Sequence, residues 1–116
     1  MSSARGQQFE SAALTYLLGR GLKLLERNFS GRFGEIDLIM ADGAVLVFVE
    51  VRARTESTFG DGLDSISTLK RRKIVRTAQL YLAAHPRHAR SVCRFDVVAL
   101  DAQGIAAPTW LKSAFE

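Results

Sequence analysis

The sequence predicts an α/β domain, a mixed β-sheet with helices packed on it, and three observations predict it. Helical periodicity appears twice, over 4–18 and 67–84. Strand-like runs rich in β-branched residues stand between and after these segments, over 22–29, 34–40, 45–54 and 94–100. The resulting order of helix, strand, hairpin, helix and strand suits helices layered on a mixed sheet. A chain of 116 residues fits a single domain, 1–116, and is long enough to bury a real core.

In the first helix Phe9, Ala12, Ala13, Tyr16 and Leu17 recur at helical spacing and form one apolar stripe, with Glu10 at its flank. Ser2 or Ser3 can cap its start, and Gly19 and Gly21 bracket its end. Residues 22–29 read as a short edge strand, and Asn28-Phe29-Ser30-Gly31 as a turn. Gly34 to Met40 alternates polar and apolar, Val45 to Arg54 is β-rich, and Asp42-Gly43 between them marks a hairpin. Residues 55–64, with Phe59-Gly60-Asp61-Gly62, read as a polar loop. Ser65 or Ser67 can cap the second helix, whose buried side is expected to carry Leu69, Ile74, Ala78, Tyr81 and Leu82. Pro86 ends it, and 85–91 follows as loop. Arg94 to Leu100 is the last strand, and the tail from Asp101 is irregular, with Trp110 packing back onto the body.

The hairpin carries the chemistry. A loop of Asp42-Gly43 sets Asp37 opposite Phe48 and Glu35 opposite Glu50, so Glu35, Asp37, Phe48, Glu50 and Arg52 share a face. Asp37 and Glu50 are then diagonal neighbours, roughly 7–8 Å apart along the backbone. Any loop of even length keeps the two acids on one face. Two carboxylates leaning together can share a divalent ion, with oxygen distances of about 2.0–2.1 Å for magnesium. Phosphodiester hydrolysis needs such an ion to neutralise developing charge and to acidify an attacking water. Arg52, two residues past Glu50, supplies a cation beside them, and Val45, Val47, Val49 and Val51 give the opposite face to the core. The plainer reading is a solvated polar sheet face, but opposed acids on one face repel unless something compensates them.

These residues carry a resemblance. Gly34-Glu35-Ile36-Asp37-Leu38-Ile39 followed by Phe48-Val49-Glu50-Val51-Arg52-Ala53-Arg54 resembles the YraN-like family of uncharacterised bacterial proteins. The likeness extends to Glu10, Arg27-Asn28-Phe29, Phe59-Gly60, Lys70 and Arg94-Phe95-Asp96-Val97-Val98, and so spans nearly the whole chain. That family is similar to restriction-endonuclease-like nucleases and Holliday-junction resolvases, whose motif is an acid on one strand and Glu-x-Lys on the next. The resemblance implies a restriction-endonuclease-like (tRNA-endonuclease-like) three-layer core. It also implies Glu10, Asp37 and Glu50 as ligands for Mg2+ or Mn2+, with Asp37, Glu50 and Arg52 as the catalytic group. Arg52 departs from the motif by standing where lysine is usual. Arginine keeps the charge and grips phosphate with two hydrogen bonds, but it stays protonated and cannot act as a base.

Sixteen Lys and Arg against twelve Asp and Glu give a net charge of +4, which favours polyanionic partners. Lys70, Arg71, Lys73 and Arg76 on the second helix, with Arg32 and Arg54, are the candidate nucleic-acid contacts, DNA being the expected partner; a solvated helix face is the plainer alternative. His85 and His88 have only Cys93 as a further soft donor, too few for a zinc site. Asp96 either supports the site from behind or caps a strand end. A single cysteine forms no internal disulfide, and no apolar run reaches the ~20 residues of a membrane span, so a cytoplasmic protein is expected. Three functions stay open at this point: a metal-dependent endonuclease, which a homodimer would suit; a non-catalytic nucleic-acid-binding module; and a protein–protein adaptor.

Overall fold

The computed structural model describes residues 4–54, 66–101 and 107–115, with side chains described over 6–53, 66–101 and 107–115. The expected caps at Ser2, Ser3 and Ser65, and the loop over 55–64, lie outside the described residues. The element order is α1 (Ala4–Gly19), β1 (Lys23–Gly31), β2 (Gly34–Asp42), β3 (Val45–Arg54), α2 (Thr68–Ala84), β4 (Cys93–Asp101) and β5 (Thr109–Phe115), with a 3-10 turn at Pro86–His88. The five strands form one mixed sheet in the order β1-β2-β3-β4-β5. Only β3 and β4 run parallel. A parallel pair needs a crossover connection, and α2 lies in it.

The helices cover opposite faces of the sheet. Leu38, Met40, Val47, Val49, Val98 and Leu100 pack under α1 with Ala13, Leu17 and Leu22. Ile39, Leu46, Phe48 and Val97 pack under α2 with Ile74, Ala78 and Tyr81. The central strands are therefore apolar on both sides, as burial on both faces demands. Phe48 was expected beside the acids; it is instead 1% exposed, edge-on to Tyr81 and stacked on Phe95.

The ends of α1 and α2 follow capping rules. Gly21 takes φ of 95°, Leu22 N–H donates to Leu17 O at 3.1 Å and Gly21 N–H to Leu18 O at 3.1 Å. These two bonds, with Leu17 and Leu22 in one apolar cluster, make a Schellman ending. Ser67 caps α2 by accepting from Lys70 N–H at 3.1 Å. Two expected faces rotate. On α1, Glu10, Ala13 and Leu17 are the buried line, at i, i+3 and i+7, and Ala12 is exposed. On α2, Leu69 is 61% exposed, because it precedes Ile74 by five residues and so falls off the stripe that Ile74, Ala78 and Tyr81 define.

The hairpins differ from expectation by small shifts. Asn28 has the positive φ (53°) that suits a turn, yet it lies within β1; the chain reverses at Arg32-Phe33, between the paired Gly31 and Gly34. In the β2–β3 hairpin Asp42 pairs with Val45, so the loop is Gly43-Ala44. Gly43 alone takes positive φ, at 60°, as the first central residue of a type II′ turn requires. The loop moves on by one residue and stays even in length, so every pairing moves on by two: Ala41 faces Leu46 where Ala44 was expected.

The tail is not irregular after 107. β5 pairs antiparallel with β4 as an edge strand, with a bulge at Phe95/Val97 and φ of 51° at Ser113. Asp96 holds it. This acid is 1% exposed and accepts from both Trp110 Nε1 at 2.9 Å and Ser113 N–H at 3.0 Å. Arg94 Nε lies 3.1 Å from each of its oxygens, and the same guanidinium reaches Asp42 at 2.8 Å. Asp96 thus neither supports the acidic site nor caps a strand end. It clamps β5 to β4.

Asp96→Ala removes the acceptor of the Trp110 indole N–H and the Ser113 N–H and leaves Arg94 to Asp42 alone, which costs on the order of 1–3 kcal/mol. Urea denaturation should show that loss. Trp110 is the sole tryptophan, so its native-state emission should shift to the red as β5 loosens.

Candidate metal centre

The site begins with an interruption in the β2–β3 ladder. Strand pairing runs from Asp42↔Val45 to Leu38↔Val49 and stops there. Strict alternation also fails at this point: Ile36 and Ile39 both join the α2-side cluster, whereas Leu38 and Met40 join the α1 side. Where the backbone pairing ends, Asp37 Oδ2 accepts the Val51 N–H at 2.8 Å. A carboxylate has replaced a carbonyl as the partner of a strand amide. The irregularity leaves Glu35 and Asp37 on the α1 side.

Glu10 meets them from α1. It sits on the helix's buried line and is 4% exposed. The carboxylates of Glu10, Glu35 and Asp37 can each bring an oxygen to within 4.8 Å of the other two. Ser30 Oγ donates to Glu35 Oε2 at 3.1 Å and steadies that side chain. Three acids this close repel one another, and partial burial weakens the solvent screening that would relieve them.

Glu50 closes the arrangement from β3. Glu50 follows Val49, the last β3 residue paired with β2, and its carboxyl hydrogen-bonds to Asp37, where the sequence implied a diagonal pair on one face. Glu50 is 5% exposed, and its carboxyl is pushed up to about 9. Burial is the main cause; the hydrogen bond to Asp37 and the charge of Asp37 add to it. Lys70 and Arg52 pull the other way. Lys70 Nζ stands 4.0 Å from Glu50 Oε2 and its side chain is 42% exposed. That separation is too long for a hydrogen bond, and Glu50 Oε2 has no hydrogen-bond partner among the described residues. The ammonium softens the shift without removing it, so Glu50 keeps its proton at neutral pH.

The expected single acidic face is therefore two. Glu35 and Asp37 join Glu10 beneath α1, whereas Glu50 approaches Lys70 of α2. The acids meet across the end of a strand pair. The donor set suits a hard divalent cation: carboxylate oxygens within 4.8 Å of one another and a buried carboxyl that a cation would deprotonate.

The expected nucleic-acid contacts separate into different roles. Lys70 turns inward to Glu50. Arg71 Nε donates to Ile66 O at 3.1 Å and ties down the start of α2. Arg32, Lys73 and Arg76 line one groove together with Arg72. The side chain of Arg54 lies outside the described residues. His85 Nδ1 bonds to Tyr81 O at 2.8 Å and its ring stacks on Tyr81, a packing role. The sequence sets Glu35 on the acidic face but not in the group of Glu10 and Asp37 that it joins in the structure, although its position two residues before Asp37 is the available signal. Lys70 beside Glu50 left no signal, since α2 and β3 meet only through the fold.

Among the described residues no helix is long and apolar enough to cross a membrane. Residues 9–100 match the family described as "Uncharacterised protein family UPF0102". A UPF0102 protein of Stutzerimonas stutzeri is 48% identical over 116 residues, covering 99% of this chain and 97% of the relative. One from Alkalilimnicola ehrlichii is 51% identical over 110 residues, covering 95% and 85%. One from a Janthinobacterium strain is 50% identical over 111 residues, covering 96% and 86%. The matched span includes Glu10, Glu35, Asp37, Glu50, Arg52 and Lys70, and the chain belongs to the UPF0102 family.

Proposed function

We propose that this protein is a metal-dependent phosphodiester hydrolase of the endonuclease type, acting on nucleic acid through a restriction-endonuclease-like core. One observation carries the reading: Glu10, Glu35 and Asp37 bring carboxylate oxygens within 4.8 Å of one another, with the protonated Glu50 against Asp37. Clustered carboxylate oxygens beside a buried carboxyl whose proton a cation would displace suit a divalent-ion site.

Glu10, Asp37 and Glu50 would hold Mg2+ or Mn2+, with Glu35 alongside. The ion would supply charge neutralisation and a more acidic water. The remaining work falls to the protein's own groups. Val51 N–H fixes one oxygen of Asp37, so its carboxylate cannot swing away from the site. Glu50 sheds the proton it holds at neutral pH, and its burial then strengthens every charge interaction it makes. Arg52 remains a cation throughout and can grip a phosphate oxygen through two hydrogen bonds. Lys70 brings a second cation to the edge of the same carboxyl. An arginine at the usual lysine position therefore does not leave the site without an ammonium group. Arg52 also favours a second reading, a nucleic-acid-binding module that has kept the fold and lost the chemistry. The presence of Lys70 weighs against it.

Cleavage of single-stranded, duplex and four-way-junction DNA in manganese should be detectable, and Asp37→Ala and Glu50→Gln should each lower it on the order of a hundredfold or more. Binding without cleavage in the intact protein would select the module instead.

The acidity of Glu50 sets a pH dependence. Its folded value of about 9 lies above the ordinary 4.5, so between these the folded state holds a proton that the unfolded chain has released. This contribution to stability is full below 4.5 and is lost as pH rises towards 9. Thermal melts without metal should therefore fall with pH across that window, and Glu50→Gln should flatten the fall. Added Mg2+ should raise Tm more on the alkaline side of neutrality, because the ion displaces the proton. Asp37→Ala should remove most of the rise.

A further inference from the structure

On the other side of Lys70, along α2, lies a groove that the proposed chemistry does not use. We propose that it is a subsite selective for single-stranded nucleic acid, in which bases stack on the Arg32–Phe33–Arg76 group while phosphates lie on Arg72 and Lys73. The proposal rests on the reading that the protein handles nucleic acid.

The groove has a volume of about 340 Å³ and is lined by Arg32, Phe33, Leu69, Arg72, Lys73 and Arg76. Four of the six are permanent cations and none is an acid. A cleft of this composition attracts a polyanion. Charge alone would not distinguish a single strand from a duplex. The other two residues make that distinction.

Phe33 sits at the tip of the β1–β2 hairpin, where the chain turns between Gly31 and Gly34. Neither core cluster includes it. Its ring instead meets two guanidinium groups, Arg32 at 5.0 Å and Arg76 at 5.3 Å from the ring centroid. Rings and guanidinium planes both take stacked bases, and they do so whatever the base. Leu69 adds an apolar surface, 61% exposed, at the i position of a stripe that Arg72, Lys73 and Arg76 continue at i+3, i+4 and i+7. An exposed leucine set among three cations is a poor way to keep a helix soluble, but it is well suited to the face of an unstacked base.

Position supports the same partner. Lys70 reaches Glu50 from the first turn of α2, and Lys73 and Arg76 follow it at intervals of three. A strand lying in the groove is thus led towards the carboxylates. Its bases must be unpaired to use Phe33 and Leu69, since a duplex keeps base faces inside its own stack.

The test is fluorescence anisotropy on metal-free protein, which binds without cutting. The probes are fluorescein-labelled single strands of DNA and of RNA, each beside its blunt duplex. At least one single strand should bind about tenfold more tightly than its duplex. Phe33→Ala should weaken that strand about tenfold, within the worth of one base–aromatic stack, with little change on the duplex and an unchanged salt slope. Phe33→Trp, which keeps a stacking surface at the same hairpin tip, should retain the preference and so exclude a folding defect. Arg76→Gln should lower the salt slope by about one. Equal affinity for strand and duplex, or a Phe33→Ala loss that is the same on both, would overturn the subsite while leaving nucleic-acid binding intact. Binding of no probe by the intact protein would overturn the underlying reading as well.

Discussion

Asp37 accepts the amide hydrogen of Val51 at the point where β2 stops pairing with β3. In an unbroken ladder that amide would bond to a carbonyl and the acid would stand clear of the sheet. With the carboxylate in the ladder's place, β2 changes the side on which its residues alternate, and Glu35 and Asp37 come to lie beside Glu10 of α1. Glu50, next to Val51, is drawn against Asp37 by the same contact. The acidic cluster is thus a consequence of one strand parting from another, and the hydrogen bond that marks the parting also fixes the acid.

The rest of the fold makes such a site tolerable. The sheet is covered on both faces, so β3 and β4 can bury Val47, Phe48, Val49, Val97 and Val98 almost completely and stay rigid beneath the acids. The two charged arrangements are also kept apart in kind. Asp96 is buried but accepts hydrogen bonds from Arg94, Trp110 and Ser113, and it is a structural clamp. Glu50 is comparably buried but has no hydrogen-bond partner for Oε2 among the described residues, and Lys70 Nζ stands 4.0 Å from it. A buried acid surrounded by donors is finished chemistry, whereas on the proposed reading one held protonated next to other acids can exchange its proton for a cation.

The strands of the hairpin were legible because alternation and an Asp-Gly pair are local signals. Parity alone sets Asp37 and Glu50 on one face; Gly43-Ala44 replaces Asp42-Gly43 as the loop and keeps its length, yet the two acids meet across the end of the strand pair and not on a shared face. What parity could not show was the change of side near Asp37, because it depends on a tertiary bond to Val51. Glu10 was misjudged for a related reason. The stripe of Phe9, Ala12, Ala13, Tyr16 and Leu17 holds except at Ala12, but Glu10 lies on its buried line with Ala13 and Leu17, and a carboxylate on an apolar line reads as an interruption until its partners are seen. Leu69 was assigned to the core by residue type, against its spacing. β5 escaped notice because half-burial and a left-handed Ser113 blur its alternation, and the residue that holds it, Asp96, is remote in sequence.

The central claim is that the carboxylates of α1, β2 and β3 converge in order to hold a divalent cation. The most direct measurement is anomalous diffraction from crystals grown with manganese at mildly alkaline pH, where Glu50 gives up its proton most readily. The account predicts a single strong peak among Glu10, Asp37 and Glu50, absent from Asp37→Ala crystals. Well-ordered side chains with no peak, and Glu50 still hydrogen-bonded to Asp37, would contradict it and leave the cluster as a proton-sharing structural element.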